Sequence, residues 1–455
     1  MSGQRLRPVA AAMITFGLVV LGSVPPAMAS GTSIRPTPLH VLWRVDRDGD
    51  RTSSAAASER DALGGSPEGQ LFYIPATGTN MLYRTFSPIR GDHRDSFRRS
   101  GPGGYVKDGV LGSPWAGCGA LPGLAPIFDA VNPATGDHAT LRPGEALPGY
   151  TVGRQLGCGY PRYGTAGEDL LTTIAGGVTV SSNRVAGGSV WRWTHRGVQY
   201  VNTYDYGREI QGAIFIDHWN PTEAGDGLGE SQHPADIHGS PLLSESSGPT
   251  TQSTRAAPLE FSVNRTDAPS VWKDISLGKD LTLDFMGMGP VVQYDTVVTT
   301  SRTLVGDWQT YISAPAVFVR PVFRRYFTYD AAAPASSPQE VFPRDWDVAG
   351  VQYRPPSGIG GVVVADDTLE HAMGLYAVCT TVPGGTIEDF SMAKYFTEAT
   401  GPQDESENAP GTTGMDAHSQ QPIRAGTTRY RTWIITGTLA EVAALMTDLY
   451  EANVR

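Results

Sequence analysis

Asn202, Tyr204, Asp205, Tyr206, Arg208 and Glu209 crowd into one short stretch of the chain. Past the apolar run Gly212–Ile216 comes a second polar stretch, with Asp217, His218, Trp219, Asn220, Glu223 and Asp226. Two carboxyls across a scissile bond are what hydrolysis of an acetal needs. Glu209 and Glu223, set among aromatic residues, are the acid and its partner in that reading, and Asp205, Asp217 and Asp226 are further candidates. Proton removal beside a carboxylate needs a base and a group that neutralises the carboxylate. Tyr204, Tyr206 and His218 suit the first role, and Asn202 and Arg208 the second. Epimerisation at one carbon asks only for a His and a carboxylate. The plainer alternative is that Glu209 pairs with Arg208 or another base and that Glu223 caps a turn.

These groups meet only if strands bring them together. Gly212–Ile216 is short and apolar, so one strand would join the two polar stretches. The preceding segment, from Gly176-Gly-Val-Thr-Val180 through Trp191-Arg-Trp193 to Asn202, alternates with period two around His195-Arg-Gly197 and predicts a hairpin. Strands are also expected over 281–285, 291–300, 317–327, 361–365 and 430–436. Segments 226–258, 330–342 and 399–424 are rich in Gly, Pro, Ser, Thr and Asp and predict long loops. Thr438-Leu-Ala-Glu441 has the form of a capping box, and Leu439, Val442, Leu445, Met446 and Leu449 follow at helical spacing. The expected fold is mainly β: a large sandwich over 167–455 with one C-terminal helix. Trp193, Trp219, Tyr204 and Tyr206 would line its groove, because aromatic faces suit the apolar side of a sugar ring.

A phrase recurs earlier in the chain. Trp43-Arg…Gly49-Asp50-Arg51, Tyr83-Arg…Gly91-Asp92-His93 and Phe128-Asp…Gly136-Asp137-His138 place their Gly-Asp pairs 42 and then 45 residues apart. A fixed period of that size predicts a repeated unit, each copy too small to bury its own core. The expectation is a pseudo-threefold, β-rich binding module over 36–163, with short helices between strands. Gly tolerates positive φ in the turn and Asp hydrogen-bonds local backbone. The functional alternative is that Asp92, His93, Asp137 and His138 grip hydroxyls of a ligand.

The ends and the composition narrow the classes. Arg5 and Arg7, the apolar run 9–24 and Ala27-Met-Ala29 read as a secretion signal over 1–29. The mature chain would then be exported and extracellular, with no membrane insertion. Without Arg5 and Arg7 it carries 33 basic against 46 acidic residues, a net charge of -13. That balance makes nucleic acid a poor partner. Export allows Cys118 and Cys158 to pair, and leaves Cys379 as a packed free thiol. No metal or cofactor is expected. His233, Asp236 and His238 lack a nearby third His or Cys for zinc. Asp46, Asp48 and Asp50 resemble half a calcium loop, but Ala57 stands where the bidentate Glu belongs, so only weak calcium binding would follow.

Two resemblances add to this reading. Asn132-Pro-Ala-Thr-Gly-Asp-His138 resembles the signature of a repeat domain of exported bacterial proteins, often attached to enzymes acting on cell walls or polysaccharides. The hairpin with Gly187-Gly-Ser-Val190, the Asn202-x-Tyr-Asp-x-Gly-Arg208 phrase and the closing strand Arg429–Gly437 resemble a galactose-mutarotase-like sandwich. Together they imply a glycoside hydrolase-like or related carbohydrate-processing protein with an appended module for carbohydrate or cell wall. The alternatives are a polysaccharide lyase and a non-catalytic extracellular carbohydrate-binding protein. The partner expected in each case is an extracellular polysaccharide or cell-wall glycan. The sequence sets no oligomeric state.

Overall fold

Leu39, Val41, Trp43 and Val45 fall at every second position, and the segment forms β1 (Thr37–Arg47) with those four side chains buried on one face and Leu42 buried on the other. A computed structural model of the protein describes residues 36–454 apart from 56, 65, 101–102, 163–168, 204–208, 227–237, 262–268, 307–309, 334–336, 342–350, 381–384 and 396–411. The expected signal segment 1–29 lies outside the described residues.

The N-terminal part is built from three antiparallel sheets of three strands. β1 is flanked by β2 (Asp50–Ser54) and β3 (Ser66–Pro75). β4 (Leu82–Ser87) is flanked by β5 (Asp92–Ser96) and β6 (Val106–Gly112). β7 (Ala125–Val131) is flanked by β8 (His138–Leu141) and β9 (Thr151–Pro161). The hairpins share one register: Arg44 faces Ser53, Arg84 faces Asp95, and Asp129 faces Thr140. A six-residue helix, α1 (Ala57–Ala62), follows β2. β2, β5 and β8 pack on one another, and Leu42, Phe72, Ile74, Leu111, Ile127 and Leu156 form a core common to all three sheets. No sheet could bury these residues alone.

The rest of the chain forms two large sheets. In spatial order the front sheet holds Leu170–Ala175, Val178–Asn183, Ser189–His195, Ile210–Ile216, Thr310–Val319, Thr412–Ser419, Asp389–Tyr395 and Val351–Tyr353. The back sheet holds Leu242–Ser247, Thr251–Ala256, Ile275–Thr282, Val291–Thr300, Gly426–Gly437, Ala372–Val378, Ile359–Ala365, Arg325–Asp330 and Gln339–Glu340. Ile214, Ile312, Val317, Phe390 and Met415 of the front sheet meet Leu277, Tyr294, Val298, Val364 and Ile434 of the back sheet in one core. The other face of the back sheet is covered by α2 (Leu439–Glu451), through Val442, Met446 and Leu449. The expected capping box is present.

All three expected loops contain strands, segment 330–342 the two-residue Gln339–Glu340. Segment 226–258 carries Leu242–Ser247 and Thr251–Ala256, and segment 399–424 carries Thr412–Ser419. Their polarity hides a period of two: Gln252, Thr254 and Ala256 are buried while the residues between them are not. The expected strand over 317–327 is two strands, Thr310–Val319 and Arg325–Asp330, parted at Arg320-Pro321.

The two parts are joined by hydrogen bonds and by a shared core. A relay of two-residue strands, Pro221–Thr222, Leu259–Glu260 and Ser270–Val271, links Ala213 of the front sheet to Thr37 of β1. Leu39, Trp43, Tyr73 and Tyr160 pack with Ala257, Leu259 and Val271. Arg162 donates to the carbonyls of Val185 (2.8 Å) and Gly239 (2.9 Å) across the seam.

Candidate functional site

The polar stretches around 202–226 do not converge on one site among the described residues. Tyr204, Asp205, Tyr206 and Arg208 lie outside those residues. Glu209 opens the strand Ile210–Ile216 and His218 sits in the turn beyond its end, roughly 20 Å away at the rise of a β-strand. Glu209, Asn202 and Trp193 are fully buried. His218 is exposed, with its ring 4.6 Å from that of Trp219, which meets Trp272 edge-on. The backbone N–H of Asn220 donates to Glu260 at 2.8 Å.

Glu223 has a structural setting. Its side chain and that of Lys279 are both fully buried and 2.5 Å apart. Glu223 also accepts from the backbone N–H of Gly212 at 3.0 Å, and Lys279 donates to Thr254 (3.0 Å) and to the carbonyl of Gly188. Burial pulls the Lys279 pKa down, and the charges of Glu223 and Glu209 oppose that shift. Glu209 and Glu223 are both fully buried, so they do not face each other across an open groove. Glu223 pairs with Lys279 inside the sandwich.

The Gly-Asp residues of the N-terminal part are likewise engaged within the protein. Asp50, Asp92 and Asp137 each present an oxygen within 4.8 Å of the others. Each accepts from the residue after a neighbouring Asp: His93 N–H to Asp50 (3.3 Å), His138 N–H to Asp92 (3.2 Å) and Arg51 N–H to Asp137 (3.4 Å). Tyr105 donates to Asp92 and Tyr150 to Asp137. The His93 ring meets Asp50 at 2.6 Å, and the His138 ring meets Asp129 at 3.0 Å. Burial, and then the charges of Asp50 and Asp92, raise the Asp137 pKa to about 7. Three carboxylates so close resist ionising together, so Asp137 tends to keep its proton. Three positions further along each copy, Ser53 and Thr140 both donate to buried Asp95. This axis ties the three sheets together.

Smaller expectations find their places. Cys118 and Cys158 are bonded, with Cα atoms 5.3 Å apart. Cys379 is free and buried, which pushes its thiol up to about 12. Asp46 accepts from Gly49 N–H at 2.8 Å and pairs with Arg51 at 3.2 Å, which closes the turn. His238 is buried against Tyr73, while His233 and Asp236 lie outside the described residues.

A different cluster stands on the outer face of the front sheet. In an antiparallel sheet, residues directly opposite share a face. Phe215 faces Tyr311, Ser313 faces His418, His418 faces Asp389, and Asp416 faces Ser391. One face thus carries Phe215, Tyr311, His418, Asp416, Asp389 and Ser391, opposite to the core residues Ile312, Ala417 and Phe390. The Phe215 and Tyr311 rings stack at 4.2 Å, and the Tyr311 ring lies 5.6 Å from that of His418. His418 Nε2 is 3.3 Å from Asp416 and 3.5 Å from the Ser391 hydroxyl, and Nδ1 is 3.7 Å from Asp389 Oδ1. That Asp389 oxygen is buried and accepts no hydrogen bond among the described residues. Burial raises the Asp389 pKa, His418 lowers it and Glu388 raises it, with a net upward shift. The face therefore sets a carboxyl that tends to keep its proton beside an imidazole and a second carboxyl, next to an aromatic stack. Such a set can give and take protons on a polyhydroxylated ligand.

Asp416 and His418 lie two apart in Gly414-Met-Asp-Ala-His418, and Asp389 and Ser391 do the same in Asp389-Phe-Ser-Met392. Polar–apolar alternation is the signal that finds them. It is masked for Asp416 and His418 because the surrounding segment has the composition of a loop.

The protein is thus a mainly β chain, with a two-sheet sandwich that carries an ionisable cluster on the outer face of its front sheet. No family model and no curated protein matches it. Solved structures match its sandwich region loosely. A galactose mutarotase related enzyme from Lactobacillus acidophilus is 7% identical, with a TM-score of 0.36 over 60% of this chain and 98% of that one. A GalM/aldose epimerase homologue from C. elegans is 10% identical, with a TM-score of 0.34 over 60% and 98%. An α-galactosidase from Geobacillus stearothermophilus is 6% identical, with a TM-score of 0.31 over 60% of this chain and 41% of that one. Likenesses this loose assign no activity to this chain.

Proposed function

We propose that the protein is an exported carbohydrate-processing protein, with its sugar on the outer face of the front sheet and its proton transfers at His418, Asp416 and Asp389. The observation that carries this reading is the His418 imidazole set between two carboxyls on a face that also presents the Phe215–Tyr311 stack. The stack offers an apolar surface to a sugar ring, and Ser391 offers a hydroxyl to hydrogen-bond it. In glycosidic hydrolysis, protonated Asp389 gives its proton to the leaving oxygen. Asp416, with His418, takes a proton from the attacking water, so the bond to the leaving group breaks as the bond to water oxygen forms. The raised Asp389 pKa suits the acid role.

The test combines three readouts on neutral and acidic cell-wall and plant polysaccharides and on free sugars: new reducing ends, absorbance of unsaturated uronate, and equilibration of anomers. Reducing ends alone are expected, and His418→Asn or Asp416→Asn should lower their rate about 100-fold or more. Anomer equilibration alone would replace hydrolysis with epimerisation at the same residues, and unsaturated uronate would replace it with elimination. Turnover that survives His418→Asn unchanged would remove the site from consideration.

A further inference from the structure

A cavity lies in the N-terminal part, lined by residues none of which belongs to the front-sheet cluster. Its volume is about 510 Å³, within the range of small-molecule sites, and Tyr83, Phe97 and Trp115 line it with Asn80, Thr79 and Gln155. Phe97 is 40% exposed, an unusual placement for a phenyl ring. No lining side chain carries a charge, so the wall offers rings for stacking and amides and a hydroxyl for hydrogen bonds. Cations stand around it. Arg99 and Lys107 each lie 5.7 Å from the centre of the Tyr83 ring, and Lys273, reaching across from the sandwich, lies 5.7 Å from that of Trp115. None of the three is in an ion pair among the described residues. In a chain of net charge -11 this local surplus of unpaired cations runs against the overall balance.

We infer that this cavity binds an acidic saccharide, with a ring against Tyr83, Phe97 and Trp115, its hydroxyls on Asn80 and Gln155, and its carboxylate toward Arg99, Lys107 and Lys273. The overall negative charge of the chain argues against acidic polymers as partners, but a bound ligand feels its neighbours within about 8 Å at physiological salt more than the distant remainder. The inference goes beyond the proposed function, because it concerns another site and survives without any chemistry at His418. The Cys118–Cys158 bond borders the cavity through Gln155, whose amide lies 3.3 Å from the Cys158 sulfur, and helps to hold the lining in place.

The test is calorimetric titration of the whole protein with tri-galacturonate and with a neutral glucan trisaccharide. The expected result is binding of tri-galacturonate that weakens with salt, with the neutral trisaccharide about tenfold weaker or more. Phe97→Ala and the double variant Arg99→Gln/Lys107→Gln should each weaken tri-galacturonate about tenfold, and both changes are at exposed positions that the fold does not depend on. The His418→Asn protein should bind it as the parent does. Equal affinity for the two sugars, no binding of either, or indifference to Phe97→Ala would overturn the inference. Loss of binding in His418→Asn would also overturn it, by placing the sugar on the front sheet. Failure of turnover with binding intact would strike the proposed function alone.

Discussion

At the scale of single residues, burial decides which polar groups are free to react. Glu223 and Lys279 spend their charge on each other inside the sandwich. Removing one partner of a buried pair leaves the other as an unpaired buried charge. Lys279→Met should therefore lower stability by about 3–5 kcal/mol, measured by urea unfolding. Lys279→Met/Glu223→Gln should recover most of that loss, since the amide that replaces the carboxylate is neutral and can still accept from the Gly212 N–H. A double variant as unstable as the single one would mean that the pair does more than neutralise itself. By contrast, His418, Asp416 and Asp389 stand on a face with no helix over it among the described residues, and each keeps part of its side chain exposed.

At the scale of elements, the closing helix shows how local signals can be complete. Thr438 accepts from Glu441 N–H at 3.2 Å and Glu441 accepts from Thr438 N–H at 2.8 Å. Thr438→Ala should cost about 1 kcal/mol of stability in thermal unfolding, and an unchanged midpoint would show that packing on the back sheet holds the helix start alone. Arg196, from the turn of the front-sheet hairpin, also reaches Glu441 with two bonds of 2.8 Å. These donors, Arg196 first, hold the Glu441 pKa down to about 2. A depressed carboxyl stabilises the fold above its ordinary pKa, and that contribution fades as pH falls through about 2. Both side chains are about half exposed, so solvent screens the pair and the effect is small.

At the scale of the whole molecule, three sheets meet at a carboxylate axis whose ionisation opposes their assembly. The Asp137 pKa is raised to about 7, chiefly by burial and then by Asp50 and Asp92. For a raised carboxyl the stabilising form is the protonated one. Its contribution is complete below the ordinary pKa near 3.8 and is lost as pH rises through about 7. The melting temperature of the N-terminal part should therefore fall between about pH 4 and pH 7, and Asp137→Asn should flatten that slope. A profile that rises over this interval in the parent would contradict a proton kept on Asp137. The seam between the two parts shares a core, so loosening the axis should also reach the sandwich through Tyr73 and Arg162.

The sequence alone was sufficient wherever the signal is local. The strand Val291–Thr300 and the capping box at Thr438 could be read directly, because side-chain alternation and cap chemistry depend only on near neighbours. The period of the Gly-Asp phrase was also plain in the sequence, but the meeting of Asp50, Asp92 and Asp137 within hydrogen-bonding reach of one another's backbones was not. Tertiary structure decided that Glu223 is an internal counterion and that His418 faces outward. Both outcomes depend on which strands pair and in what register. A shift of one residue turns every side chain of a strand to the other face, and register in a sheet of distant segments is set by the core as a whole. The front-sheet cluster draws on strands far apart in the chain, from the one that carries Phe215 to the one that carries His418, and only their pairing gives it a site.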